Sequence, residues 1–132
     1  TEPLIFSREE IKPLVERNNY FNKLNRVKLK PEISSPLTIE EFANLTIPEV
    51  LTSDKRFLFI FNTIGSAKDF YSRLREHGID NNEMTFLTTH IIPKERLDRI
   101  KEIRKGNKSI VVSTQLVEAG VDIDFDIVYR DF

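Results

Sequence analysis

The chain has 132 residues, of which 39% are hydrophobic and 31% charged, and this composition indicates a folded globular domain rather than a disordered or membrane-embedded segment. The formal net charge of -1 argues against binding of nucleic acid through bulk positive potential alone. With no cysteine and only two histidines, His77 and His90, which lack metal-ligand spacing, the sequence excludes a zinc site and favours a cytoplasmic location.

The amino-terminal third predicts a helix and a strand that lead into the main fold. Ser7-Arg8-Glu9-Glu10 has the form of a capping box, and charged and apolar residues alternate over residues 26–30 as in a half-exposed strand. A second capping box, Thr38-Ile39-Glu40-Glu41, predicts the next helix, which we expect Pro48 to break or restart. We assign residues 1–37 to an entry segment within one structural domain.

The remaining sequence alternates strands and helices. Phe57–Phe61 is a continuous apolar run, typical of a parallel strand that is covered on both faces. One of the later helices is predicted to bury the apolar face formed by Leu97, Ile100 and Ile103. Further strands are predicted at residues 85–89, 110–113 and 127–129. This repetition predicts βαβ crossovers, and hence an α/β domain with a mainly parallel sheet over residues 38–132.

Polar side chains follow three of the predicted strands at the point where each strand ends. They are Asn62-Thr63, Thr89-His90 and Ser113-Thr114-Gln115. Carboxyl ends of parallel strands meet at one edge of a sheet, where open α/β sheets bind ligands, and hydroxyl and amide groups suit phosphate oxygens. Thr114 alone is better interpreted as a helix cap, but three coincident polar strand ends favour a binding edge. For His90, a hydrogen bond within its loop is favoured over a general-base role.

The turn at Gly120 and Asp122 has two evenly balanced interpretations. The glycine lets the backbone approach a ligand while the aspartate accepts from a ribose hydroxyl, or the two residues simply end a helix and form a turn. Asp122, Asp124 and Asp126 alternate, but the glycine and distal glutamate of a calcium-binding hand are missing, so turn roles are favoured. Because no G-x-x-x-x-G-K-[ST] loop is present, the chain is not a complete nucleotide hydrolase.

The stretch 112–126 closely resembles motif V of superfamily 2 helicases. Its sequence pattern, Thr-Gln-x-Val-Glu-Ala-Gly-Val-Asp, is especially similar to that of Cas3, the helicase-nuclease of type I CRISPR interference. Residues 59–63 resemble motif IV of the second RecA-like domain, and Thr89-His90 with Lys94-Glu95-Arg96 resembles the histidine loop and basic helix between the two motifs. Residues 20–27 are similar to the segment that joins the RecA-like domains in this family, and Thr1-Glu2-Pro3 to the tail of motif III.

The resemblance implies roles for individual residues. Thr63 and Thr114 would contact the backbone of the DNA strand, and the lesser candidates for nucleic-acid binding are Asn62, Gln115, Arg96 and His90. Gly120 and Asp122 would face ATP, with Asp122 near the ribose. ATP and magnesium would be held mainly by the first RecA-like domain. No catalytic or metal-binding residue is expected here.

The resemblance also implies a fold and partners. We expect a three-layer RecA-like domain whose last elements, including motif VI, lie beyond Phe132, and whose partners are single-stranded DNA, the first RecA-like domain, the HD nuclease and the CRISPR surveillance complex, with no membrane. The chain alone is expected to be inactive and to bind single strands at most weakly. The alternatives are the second RecA-like domain of another superfamily 2 DNA or RNA helicase, and a nucleotide- or protein-binding module without motor activity.

Overall fold

The computed structural model describes residues 30, 35–115 and 123–131. The chain divides into two compact units, Thr1–Ser35 and Pro36–Phe132. Of the first unit only Lys30 and Ser35 are described, so the predicted first helix and nearly all of the strand at 26–30 lie outside the described residues. All elements below belong to the second unit.

Three helices and four strands form the described part of this unit. In chain order they are α1 (Ile39–Thr52), β1 (Phe57–Phe61), α2 (Ile64–Glu76), β2 (Met84–Leu87), α3 (Pro93–Arg104), β3 (Ile110–Thr114) and β4 (Ile127–Arg130). The strands form one sheet in the order β2-β3-β1-β4, and every pairing is parallel. The predicted α/β class and parallel sheet are confirmed. Along the described residues, no helix has both the length and the apolar character that a membrane span requires.

The two faces of the sheet carry separate hydrophobic clusters. On one face α1 and α2 cover the aromatic side of β1, where the Phe59 ring centroid lies 4.6 Å from that of Phe70 and 5.3 Å from that of Tyr129. On the other face α3 packs through Ile103 against β1 and β3, with Ile100 half-buried. Because both faces are covered, β1 is buried along its whole length, as its continuous apolar run predicts.

Helix α1 corrects one prediction, because it runs through Pro48 without a break. The capping box at its start is present as predicted: the Thr38 hydroxyl accepts from the Glu41 amide, and the Glu41 carboxylate accepts from the Thr38 amide. Proline removes one amide donor, but both Pro48 and Asn44, the residue one turn earlier, are exposed, so water can bind the freed carbonyl. The buried side of α1 holds the helix to the sheet.

Helix α3 corrects a second prediction. Pro93 occupies its first turn and Gly106, with φ of 79°, follows its carboxyl end. However, Leu97 is 58% exposed and does not belong to the buried face. The face toward the sheet consists instead of Ile103 and Ile100 with the stem of Arg99, whose guanidinium donates to the carbonyl oxygen of Phe86 on β2 (2.5 Å).

Candidate nucleic-acid interface

The polar strand ends lie together at the carboxyl edge of the sheet. The register pairs Phe61 with Thr114 and Leu87 with Ser113, so the residues that follow β1, β2 and β3 are neighbours along this edge. Helices α2 and α3 both begin at the same edge, because each follows directly from one of these strands. The structure therefore brings Asn62, Thr63, His90 and Gln115 to one side of the molecule.

Thr63 caps α2 with its side chain. Its hydroxyl oxygen accepts from the Ser66 amide (3.1 Å) and its proton is donated to the Ser66 hydroxyl (2.9 Å). The Thr63 hydroxyl therefore both accepts and donates a hydrogen bond within the cap. The Ser66 hydroxyl accepts the second of these bonds, so its own proton can be donated to another acceptor. Ser66 was missed by the sequence reasoning, although its position three residues after a capping threonine is a signal that could have identified it.

Asn62 and Gln115 form a polar pair across β1 and β3. The Gln115 side-chain amide donates to the Asn62 side-chain oxygen at 3.4 Å, and both residues are exposed. The contact is long, so it orients the two amides without consuming their other donors. Each amide group keeps hydrogens that can be donated to an acceptor above the edge.

Thr114 lies at this edge with 8% of its surface exposed, and its hydroxyl is not a buried group without a partner, since among the described residues Arg56 Nε is the atom of that kind. The hydroxyl of the adjacent Ser113 donates to the carbonyl oxygen of Leu87 at 2.8 Å. Thr88, next to Thr114 by the register, is 1% exposed, and it follows β2 directly although residues 85–89 were predicted as strand.

His90 and Arg96 lie on the loop and helix that follow β2. His90 is exposed, and its ring makes no hydrogen bond within the described ranges, so the favoured loop bond is not observed. Arg96 is half-buried and reaches the carbonyl oxygen of Ile91 only at 3.5 Å. Arg99 and Lys101 of α3 form ion pairs with Glu95 and Asp98, and Lys105, which follows the helix, pairs with Glu102.

The acidic residue with a perturbed pKa lies at the far end of α3, away from this edge. A hydrogen bond from Asn107, with a hydrogen bond and charge from Lys105, lowers the pKa of Glu102. At the edge itself and throughout the rest of the described chain, no cluster of three potential metal ligands is present. The chemistry available here is hydrogen-bond donation by hydroxyl, amide and cationic groups.

Gly120 and Asp122, the predicted ATP-facing residues, lie outside the described residues, but the residues that follow them are anchored by Arg56. The Arg56 guanidinium donates to the carbonyl oxygens of Ile103 (2.8 Å) and Asp124 (3.0 Å) and lies 5.3 Å from the Phe125 ring centroid. Its backbone amide donates to the Asp126 carboxylate (2.8 Å). Arg56 thereby fixes the start of β4 to the end of α3.

Solved structures place this sheet and its helices in a known class of domain. The chain is similar to the DUF1998 helicase MrfA bound to DNA, with 22% identity, a TM-score of 0.63, and coverage of 72% of this chain and 15% of that one. It is also similar to the C-terminal domain of the DEAD-box protein Dbp5, with 23% identity, a TM-score of 0.56, and coverage of 69% and 49%. The fold is that of the carboxyl-terminal RecA-like domain of helicases.

Sequence comparison assigns the chain to a particular family within this fold. Residues 53–132 match the family model of the C-terminal part of the CRISPR-associated nuclease/helicase Cas3, and the chain belongs to this family. It is 34% identical over 83 residues to the CRISPR-associated nuclease/helicase Cas3 of Methanothermobacter thermautotrophicus. That match covers 60% of this chain but 10% of the relative, so the chain spans about a tenth of the relative's length.

Proposed function

We propose that this domain provides part of the single-stranded DNA-binding surface of an ATP-dependent, Cas3-type translocase that acts in type I CRISPR interference. The observation that carries the proposal is the gathering of hydroxyl and amide groups at the carboxyl edge of the sheet, where β1 and β3 end in register at Phe61 and Thr114 and the exposed Asn62 and Gln115 follow. Hydroxyl and amide groups donate hydrogen bonds, and a hydrogen bond to a charged acceptor is stronger than one to a neutral acceptor. A phosphate oxygen of the DNA backbone is an acceptor of suitable charge.

The groups around Thr114 are suited to a sugar-phosphate backbone. Gln115 and Asn62 offer amide hydrogens, and Ser66 offers a hydroxyl at the start of α2, where the helix dipole favours an anion. At Gly65 an added Cβ would meet no atom within 4 Å, so a strand can approach the helix closely. Such donors recognise phosphates and read no base sequence, which is what a translocase requires.

The nucleotide site of the proposed translocase involves the preceding RecA-like domain as well. ATP, with magnesium, would be held mainly by that domain, and Gly120 and Asp122 of this chain would complete the cleft. When bound, ATP supplies the hydrolysis free energy that opens and closes the two domains. The contribution of the described residues is a repeated hold on the strand, through Thr114 and the start of α2.

The proposal is tested by replacing Thr114 with valine, which keeps the shape but removes the hydroxyl. In the full-length protein that carries this chain, T114V is expected to lower single-stranded DNA affinity by about tenfold, because a hydrogen bond to a charged phosphate is lost. The serine variant T114S keeps the donor and is expected to stay close to wild type. Fluorescence anisotropy with DNA and with RNA of the same sequence measures the effect and the preference between the two.

The matched control is Thr85→Val. Thr85 is a buried threonine of the same sheet, but it lies within β2 and not at the carboxyl edge. T85V is expected to leave DNA affinity unchanged. Equal affinities of wild type, T114V and T85V would contradict the proposed role of the edge.

A further inference from the structure

Ile92 is an exposed apolar residue within an otherwise polar edge. Its side chain is 63% exposed, and it stands in the short connection from β2 to α3, beside the exposed Thr89 and His90. Large apolar side chains at the surface are ordinary when isolated. Ile92 is a candidate for a binding role for two reasons. It lies on the edge to which we assign strand binding, and its position is unfavourable for the helix that it precedes.

The position is the N-cap of α3. No side chain caps this helix, whereas Thr38 and Thr63 cap α1 and α2 with their hydroxyls. Isoleucine is among the poorest residues at an N-cap, and serine is among the best. Ile92 therefore lowers helix stability, and its side chain contributes to neither hydrophobic cluster of the sheet.

The backbone around Ile92 is held in place. The Ile91 amide donates to the carbonyl oxygen of Thr88 (3.3 Å), and the Arg96 amide donates to that of Ile92 (3.0 Å). The β-branched side chain is itself restricted at χ1. An exposed isoleucine on a fixed backbone loses little conformational entropy when a ligand covers it, so it is suited to make an apolar contact.

We propose that Ile92 packs against a base of the bound single strand, while the neighbouring donors hold the phosphates. This inference rests on the proposed function, since it names a base contact at the same edge. Phosphates are bound by the hydroxyl and amide groups, but base faces are apolar and gain from an apolar neighbour. Apolar side chains that wedge against or between bases are an established way of gripping nucleic acid without reading its sequence.

The test is Ile92→Ser in the full-length protein, with two DNA strands. One strand carries ordinary bases, and the other carries abasic sites through the region bound. We expect wild type to prefer the ordinary strand, and I92S to bind that strand about fivefold more weakly because apolar burial is lost. Affinity for the abasic strand should not change. Because no phosphate contact is removed, the salt dependence of binding should also be unchanged.

If Ile92 had only a structural role, a variant that binds DNA more weakly would also be less stable. Serine is a better N-cap than isoleucine, so I92S should raise thermal stability while it weakens binding. I92L should retain the preference for ordinary strands. Leu45→Gln, at a residue with the same 63% exposure on α1, is the matched control and should have no effect on binding.

Each outcome decides the inference. If I92S binds both strands as wild type does, or loses affinity equally for both, Ile92 makes no base contact, and the effect of T114V still tests the proposed function separately. If wild-type protein binds neither strand, the proposed function itself fails and the base contact fails with it. Only a loss confined to strands that carry bases supports the proposal.

Discussion

At the scale of single residues, the hydroxyl groups of the edge differ in their partners. Thr63 and Ser113 use their hydroxyls within the protein, whereas that of Thr114 is the one that we propose for a phosphate oxygen. The sequence predicted all three as hydroxyl residues at strand ends, but it could not distinguish them. The distinction depends on which carbonyl or amide lies within about 3 Å, which is a property of tertiary register.

The cap that Thr63 forms and the phosphate contact that the resemblance implies for it can be separated by substitution. Thr63→Asp keeps an N-cap acceptor and adds a favourable charge to the helix dipole, so α2 should be as stable as in wild type. The same carboxylate repels phosphate, and single-stranded DNA affinity should fall by about tenfold or more. Thr63→Asn, a neutral cap of similar size, should preserve both stability and binding. Thermal unfolding and anisotropy titration of the full-length variants measure the two effects, and T63D with normal affinity would exclude a phosphate near α2.

At the scale of secondary-structure elements, Arg56 connects parts of the chain that are distant in sequence. It joins the residue before β1 to the last turn of α3 and to the approach to β4, and its Nε atom is buried without a partner. Arg56 as a whole is half-buried, and its side-chain contacts add to backbone hydrogen bonds at the same edge, such as the one from the Phe57 amide to the Ser109 carbonyl oxygen.

Loss of the Arg56 contacts is predicted to lower the stability of the domain substantially. Arg56→Met is expected to lower the free energy of unfolding by about 2 kcal/mol, because charge-assisted bonds to two carbonyl groups are lost. Arg73→Met removes an exposed ion pair with Asp69 and should change it by less than about 0.5 kcal/mol. Urea unfolding compares the variants, and hydrogen exchange at the Asp126 and Ile127 amides, which donate to the Arg56 carbonyl oxygen, should rise in R56M. Equal stability of the two variants would contradict a stabilising role of the Arg56 contacts.

The elements also show what sequence patterns can and cannot predict. Strand β1 and the N-cap of α1 were predictable, because apolar runs and capping boxes are local signals. The continuation of α1 through Pro48 and the exposure of Leu97 were not, since both depend on which side of a helix meets the sheet. The Arg56 contacts span up to 70 residues in sequence, and no local pattern indicates them.

At the scale of the whole molecule, the net charge of -1 constrains how a strand can be held. Two of the five cations on α3, Arg99 and Lys101, are paired with nearby carboxylates, so the proposed binding relies on neutral donors together with the cations left at the edge. The gathering of the polar strand ends at the carboxyl edge was predictable from the βαβ order alone. Its electrostatic character was not, because pairing of charges is set by helix geometry and by the tertiary contacts.

Arg96 and Arg104 allow this electrostatic contribution to be measured, because they occupy opposite ends of α3. Arg96 lies in the turn nearest the carboxyl edge, whereas Arg104 is the last residue of the helix. If Arg96 neutralises one phosphate, Arg96→Gln should reduce the slope of log affinity against log salt concentration by about 0.7, the value for one charge on a single strand. Arg104→Gln changes the net charge equally but should leave the slope unchanged. Titrations of both full-length variants at several salt concentrations measure this slope. If R96Q and R104Q lower the slope equally, the strand is attracted by the overall charge of the domain and not by its carboxyl edge.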